Sequence, residues 1–350
     1  MRVIVSGSSG LIGTALGASL AATGDEMVGL VRRPPSSPSE IQWDPHAPDG
    51  GIAPAALDGA DAVVHLAGAP IAAGRWTAAR KHEIRDSRVA GTRGLVSALT
   101  AMGHPPSVLI SGSAIGYYGD TGGREVDESS PAGTGFLAGV TRDWEAAAGP
   151  ARDAGIRLVN LRTGIVLSRN GGVLGRLLPL FRLGLGARIG PGTQVMSWIM
   201  LTDVVRIIRF LLERGDVDGP VNMTAPQPAT NAEFTSALAA AAGHRARLGI
   251  PAAALQLGLG EVAGELLGSA RVMPRRLLAA GGDSLWHSGG DWLTGPRFTR
   301  RPGPVHSPGR KPVSLPLAPR RPAAANHWCR AARRPAPHRR VAPQCRVAPQ

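Results

Sequence analysis

Lysine and tyrosine are the scarce residues of this 350-residue chain: lysine occurs only at Lys81 and Lys311, and tyrosine only at Tyr117 and Tyr118. No Tyr-x-x-x-Lys pair exists, so a phenol activated by a lysine one helical turn away is excluded. Cysteine is as rare. Cys329 and Cys345 both lie in a Pro/Arg-rich C-terminal stretch, which argues against a disulfide framework and against a metal site. No apolar run reaches the ~18 residues of a membrane span, so no membrane association is expected. The opening MRVIVSGSSG has too short an apolar stretch for a secretory signal and runs straight into a glycine-rich turn. A cytoplasmic protein is the expectation.

Acidic residues are outnumbered, 25 against 39 Lys+Arg, for a net charge of +14. The excess is local. Residues 281–350 hold 13 Lys+Arg and 2 Asp, a net of +11, which leaves +3 for residues 1–280. A nucleic-acid reading therefore rests on the tail alone. The hydrophobic content of 43% is enough for a real core, in one large domain or two small ones.

Short apolar runs alternate with helical spacing through the first half. RVIVSG (2–7), EMVGLVRR (26–33), DAVVHLAG (61–68), SVLISGS (107–113) and IRLVNLRTG (156–164) read as strands. LIGTALGASLAATG (11–24), 76–102 and 136–154 read as helices, and 34–58 as a long loop. The alternation predicts an α/β fold, a doubly wound parallel sheet of Rossmann type covered on both faces. Beyond about 165 the pattern loosens into small helices, with Thr230 or Asn231 as an N-cap. We expect a dinucleotide-binding domain over 1–165 that takes back some later segments. A small α-rich substrate lobe should follow over 166–281, and a tail over 282–350.

SGSSGLIG (6–13) sits between a strand and a helix, with glycines at 7, 10 and 13. Gly7 permits a tight turn, Gly10 lets backbone approach a pyrophosphate, and Gly13 lets helix and strand pack closely. The helix start, Leu11-Ile12-Gly13, then offers N–H groups and a positive dipole end to phosphates. Strand two ends in Arg32 and Arg33, where an acidic residue would grip the ribose hydroxyls of NAD. Arginines there suit the 2′-phosphate of NADP(H), the cofactor we expect over NAD(H). Leu66, Ala67 and Gly68 close the third strand with small residues beside this loop, and Ser111 lies in the next strand. The alternative for each is a turn or a solvated pair of arginines with no ligand.

These segments resemble the extended, epimerase-like branch of the short-chain dehydrogenase/reductase superfamily. LISGSAIGYYGD (109–120) resembles its fourth strand, with Ser113 in the place of the catalytic serine. LRTGIVLS (161–168) resembles the segment that flanks the nicotinamide. RDSRVAGTRGLVSAL (85–99), GFLAGVTRDWEAAA (135–148), SWIMLTDVV (197–205) and PRRLLAAG (274–281) resemble an atypical subgroup, labelled epimerase family or cell-division-inhibitor-like, that ends in a small C-terminal module. The resemblance spans residues 1–281. It implies a reductase or epimerase of an unknown small molecule, yet Phe136 and Val140 occupy the slots of the superfamily's Tyr and Lys.

What remains for acid–base work is Ser113 as a donor to a substrate oxygen and a Tyr117 or Tyr118 hydroxyl. Asp120, Glu145 and Asp203 are nearby carboxylates, each with an ordinary structural alternative. Arg162, Met196 and Trp198 are candidate pocket residues, with an internal ion pair as the other reading of Arg162. His65 reads as a hydrogen-bonded core histidine. The rival to an enzyme is a non-catalytic NADP(H)-binding sensor or interaction protein. We expect a small-molecule substrate and a homodimer as the candidate assembly, with no nucleic-acid partner. The tail, with RRPAP and the repeat RVAPQ at 340–344 and 346–350, admits three readings: disorder, charge-driven binding, or a frame change in GC-rich DNA. The abrupt break after PRRLLAAG favours the frame change.

Overall fold

The computed structural model describes residues 1–286. Seven strands form the central sheet: β1 (Arg2–Ser6), β2 (Glu26–Val31), β3 (Glu40–Gln42), β4 (Ala62–His65), β5 (Val108–Ala114), β6 (Arg157–Thr163) and β7 (Gly219–Met223). Their order is β7-β6-β5-β4-β1-β2-β3, and every pair is parallel. This is the doubly wound parallel sheet read from the alternation of apolar runs and helical segments.

Both faces are buried, which is why the strands read as unbroken apolar runs. Along β1 the side chains alternate: Val3 and Val5 face one layer, Ile4 the other. The first layer is α1 (Leu11–Ala22) with the helix Leu201–Glu213, through Leu16, Leu20, Ile207 and Leu211. The second is α2 (Ala78–Thr100), through Leu95 and Leu99, with α3 (Phe136–Ala148) beside it. The chain reverses direction across the sheet between β1 and β4, and the carboxyl ends of the strands there form the expected ligand crevice.

Later segments do return to this sheet: β7 pairs with β6 in register Asn222↔Arg162. Around 165–200 the chain builds a smaller layer, with Trp198–Met200 parallel to Ile165–Ser168. The helix Asn231–Ala241 starts at Thr230 in a full capping box with Glu233.

Three features differ from the sequence expectation. The 34–58 loop contains β3, which extends the sheet edge beside β2. The pairs Ala187–Ile189 with Leu248–Ile250, and Glu125–Val126 with Arg271–Val272, are strands too short to read from pattern. The folded region also runs past 281. Leu285 is buried in the core, and Trp286 donates its indole N–H to the Thr224 carbonyl at 3.0 Å. Apolar anchorage therefore continues beyond PRRLLAAG. The remaining expectations for the Pro/Arg-rich tail lie outside the described residues. No helix among the described residues is long and apolar enough to cross a membrane.

Candidate active site

The glycine loop has the geometry its spacing predicts. Gly7 sits at φ 70°, and a Cβ there would stand 3.0 Å from the Ala67 nitrogen and the Leu66 carbonyl carbon. A Cβ on Gly13 would stand 2.7 Å from Ser8 Cα. Gly10 donates to the Gly7 carbonyl at 2.9 Å and begins α1 without any capping side chain. The 12-residue helix thus begins at Leu11, Ile12 and Gly13 with no side-chain cap at its N-terminus, where the first backbone N–H groups have no intrahelical partner.

Strand register then lays out two polar rows across the sheet. The first is Ser6↔His65↔Ser111 on β1, β4 and β5. Ser6 Oγ accepts from the Leu66 and Ala67 amides at 3.1 and 3.2 Å. Its own proton therefore goes to His65 Nδ1, 2.6 Å away. The opposite nitrogen, Nε2–H, donates to Thr92 Oγ1 at 3.0 Å. The tautomer follows from this network. Full burial holds the His65 pKa down to about 4, so the ring is neutral. His65 clamps the turn after β4 in place. Ser111 is fully buried and donates weakly to the Gly112 carbonyl at 3.4 Å.

The second row is Ser113↔Arg162↔Asn222 on β5, β6 and β7. Glu145 of α3 joins it. Ser113 Oγ donates to Glu145 Oε1 at 2.6 Å. Arg162 grips the same carboxylate with Nε and Nη2, at 2.8 and 2.9 Å. Its Nη1 donates to the Tyr118 hydroxyl at 2.9 Å, and Tyr118 donates to Asn222 Oδ1 at 2.7 Å. Asn222 is fixed in turn by the Met273 carbonyl and by Glu128, at 2.9 and 3.0 Å. Ser113, Tyr118 and Arg162 are 5%, 3% and 3% exposed. Burial opposes the charge on Arg162, but the hydrogen bonds and charge of Glu145 outweigh it and hold the guanidinium above its ordinary pKa.

This row changes the roles read from sequence. Arg162 is not free to meet an anionic substrate: its fork is filled by Glu145, and it forms the internal ion pair. Tyr118 is a poor acid, because burial pushes its phenol up to about 12 and both hydrogen-bonding directions are taken. Ser113 is not a donor to substrate, since its single proton is committed to Glu145. Its lone pairs remain, so it accepts. Tyr117 is half-buried, with its ring 3.5 Å from the Arg162 guanidinium. Its hydroxyl has no partner among the described residues.

The slots of the missing pair are filled by packing. Phe136 meets Trp76 edge-to-face at 5.1 Å, and Val140 is buried with Trp76 and Ile84. Met196 and Trp198 belong to the smaller layer. Met196 Sδ accepts from Asn231 at 3.5 Å, and Trp198 is buried with Leu167, Phe181 and Phe234. At the far end of the crevice the two arginines part ways. Arg33 is forked onto Glu40 at 2.9 and 2.5 Å. That contact, with Ser36, pulls Glu40 down to about 2. Arg32 makes no ion pair among the described residues and lines a cavity of about 320 Å³ with Trp43, Asp44 and His46.

Glu145, Asn222 and Glu128 were the residues sequence reasoning missed or set aside. Glu145 stood among the nearby carboxylates, Asn222 left a signal as a polar residue inside the apolar strand GPVNM, and Glu128 left none.

Comparison with known proteins decides the family. The model of the NAD dependent epimerase/dehydratase family matches residues 3–223, and a domain of unknown function, DUF1731, matches residues 250–281. The chain belongs to the NAD dependent epimerase/dehydratase family. An epimerase family protein of Mycobacterium bovis, Mb2239, is 47% identical over 280 residues, covering 80% of this chain and 92% of that one. The crystal structure of the human epimerase family protein SDR39U1, solved with NADPH, superposes with a TM-score of 0.74 at 40% identity. It covers 80% of this chain and 94% of its own. A nucleoside-diphosphate sugar epimerase of Corynebacterium glutamicum gives a TM-score of 0.66 at 37% identity, over 81% of this chain and 56% of that one. The C-terminal module meets the sheet through hydrogen bonds: the Met273 carbonyl holds Asn222, and the Val272 carbonyl holds Thr224 at 3.0 Å.

Proposed function

We propose that this chain binds NADP(H) and acts as an oxidoreductase or epimerase on a small molecule that carries a hydroxyl group. The glycine loop has the tight turn a pyrophosphate cradle needs, since side chains at Gly7 or Gly13 would collide with the backbone of Leu66, Ala67 and Ser8 and force the turn open. Leu11, Ile12 and Gly13 would hold the phosphates. Arg32, without an ion-pair partner among the described residues and just past the end of β2, would take the 2′-phosphate, while Arg33 stays on Glu40. The solved human relative with NADPH supports this choice of cofactor. The nicotinamide, when bound, supplies or receives a hydride.

One observation carries the substrate reading: the Ser113 proton is held by Glu145 at 2.6 Å. Ser113 Oγ therefore accepts a hydrogen bond from a substrate O–H and orients the carbon that bears it. Glu145 is a poor resting place for the departing proton. Protonating it would strand the buried Arg162 charge, and uncompensated buried charges of this kind destabilise by about 3–5 kcal/mol. Its work is to orient Ser113. The phenol beside the row is Tyr117, whose ring lies on the Arg162 guanidinium in the short turn Ile115–Tyr118 after β5, and it is the group we assign to proton exchange. Tyr118 and Asn222 are positioning residues.

The non-catalytic reading keeps one support: the Tyr118 and Glu145 hydrogen bonds are already satisfied within the protein. NADP⁺-dependent oxidation of a panel of secondary alcohols tests the proposal, with Ser113→Ala and Tyr117→Phe as controls. Turnover that Ser113→Ala abolishes while cofactor affinity holds is expected. Turnover unchanged in Ser113→Ala would reject the assignment, and tight cofactor binding without any turnover would favour the sensor.

A further inference from the structure

Large apolar side chains on the surface of this fold are not scattered. Ten are exposed among the described residues, and all but Met1 lie between residues 173 and 266, outside the parallel sheet and its two helical layers. Single exposed leucines are ordinary, but a contiguous set marks a contact surface. One such set is built around the end of the helix Gly172–Arg182. There the Leu185 amide donates to the Leu180 carbonyl at 2.9 Å, and the Gly184 amide, with Gly184 at φ 74°, donates to the Phe181 carbonyl at 3.0 Å. This turn ordinarily packs its flanking apolar pair together. Here Leu180 and Leu185 are 47% and 53% exposed, and Leu183 between them is 71% exposed. His244 Nε2–H donates to the Arg182 carbonyl at 3.0 Å and ties the next segment to this turn. Leu185 and Leu248 then line one cavity of about 740 Å³ with Gly184, His244, Arg245 and Arg247. Leu248 and Ile250, two apart on a strand, point the same way, and that strand is paired with Ala187–Ile189. The leucines therefore stand out from hydrogen-bonded backbone.

Charge says what this face fits. Residues 172–194 and 242–259, which build it, hold five arginines and no Asp or Glu. Arg182, Arg188, Arg245 and Arg247 are exposed, and none of the four makes an ion pair among the described residues. A second copy of the chain is a poor occupant, because two-fold pairing would set these arginines against one another with no carboxylate between them. The chain's own residues 287–350 are a poor occupant for the same reason, with 13 Lys+Arg against one Asp. The occupant must be anionic and must also accept leucines that protrude. Cationic side chains mixed with protruding apolar ones match the headgroup layer of an anionic bilayer, where arginine meets phosphate and leucine reaches the acyl boundary.

We propose that this face docks on an anionic lipid bilayer, with Arg182, Arg245 and Arg247 on the headgroups and Leu183, Leu185 and Leu248 inserted beneath them. Surface contact of this kind needs no spanning helix, so it is compatible with the lack of one among the described residues. None of these residues belongs to the glycine loop or to either polar row, so docking leaves both in place.

The test is sedimentation of the full chain with vesicles of phosphatidylcholine alone and of an equal mixture of phosphatidylcholine and phosphatidylglycerol. The chain should sediment with the mixed vesicles only, and added salt should weaken the binding. Two double changes, Arg245→Gln with Arg247→Gln and Leu183→Ser with Leu185→Ser, should each weaken it at least about tenfold, a loss of about 1.4 kcal/mol. All four side chains are exposed, so the melting temperature should hold. In the unaltered chain, hydrogen exchange over residues 180–190 and 243–250 should slow when the mixed vesicles are added. Binding that survives both double changes, with no slowing over these segments, would assign it to the charge of residues 287–350 and overturn the proposal. No binding to the mixed vesicles would overturn it as well. In that case, self-association lost in the leucine variant would point to a second copy, and binding of soluble polyglutamate lost in the arginine variant would point to an acidic protein.

Discussion

Glu145→Gln is the substitution that presses hardest on the second polar row. The side chains of Arg162 and Glu145 are 4% and 13% exposed, so little solvent screens the pair. Ser113 Oγ and Arg162 Nε both end on Oε1, and Nη2 ends on Oε2. A glutamine can keep an oxygen at one of these places only. Its amide nitrogen must then face a donor, whichever way it turns. Breaking a buried pair destabilises by about 3–5 kcal/mol, and the retained oxygen places this case near about 3 kcal/mol. Unfolding entropy of roughly 2.1 cal/mol/K per residue then predicts a fall in Tm of about 5 °C for a fold of this size. Urea titration and thermal melts of Glu145→Gln and Arg162→Met measure the losses singly. The double change Glu145→Leu with Arg162→Met should recover much of the loss, since an apolar pair can replace a buried ion pair. A change within about 0.5 kcal/mol for Glu145→Gln would refute the reasoning, because surface substitutions commonly fall in that range.

Two further outcomes follow from the same geometry. Folded His65 titrates near 4, below its unfolded value of about 6.5, so its contribution is fully present above that unfolded value and is lost as pH falls through 4. Urea midpoints at about pH 7 and about pH 4.5 should show a loss of roughly 2–3 kcal/mol that His65→Asn lacks; parallel pH profiles in the two proteins would count against a neutral buried ring. Gly13→Ala puts a methyl 2.7 Å from Ser8 Cα, and overpacking of about 1–3 kcal/mol should weaken NADPH at least about tenfold. Undiminished affinity in that variant would mean the loop does not hold the cofactor.

The sheet and its cofactor loop were legible in the sequence because both are local signals. Apolar runs bounded by glycine mark β1, β2, β4, β5 and β6, and GxxGxxG carries its own steric argument. β3 and the two-to-three-residue pairs were not legible, because a strand that short has no period to read. The polar row was legible only in part. Ser113 and Arg162 were visible as polar ends of strands. That they share a row depends on register, which pairs Ser113 with Arg162 and Arg162 with Asn222 across three strands distant in sequence. Glu145 looked like an ordinary helix residue, since nothing in the helix pattern says that it turns inward to Arg162. The direction of the Ser113 hydrogen bond could not be read either. It is set by which neighbour takes the proton, and that neighbour was unknown until α3 was placed. The end of the fold was misjudged for a simpler reason. Leu285 and Trp286 are two apolar residues without a repeat, and only their contacts show that they anchor the chain.

The measurement that tests the central claim most directly is a fluorescence titration of the full chain with NADPH beside NADH, repeated with Arg32→Ala and Arg33→Ala. NADPH should bind tightly and NADH much more weakly. Arg32→Ala should erase most of that difference, at a loss of about 1.5–3 kcal/mol for a hydrogen-bonded charge, while Arg33→Ala, whose guanidinium is held by Glu40, should leave it intact. Equal affinity for the two cofactors, or a preference for NADPH that survives Arg32→Ala unchanged, would contradict it.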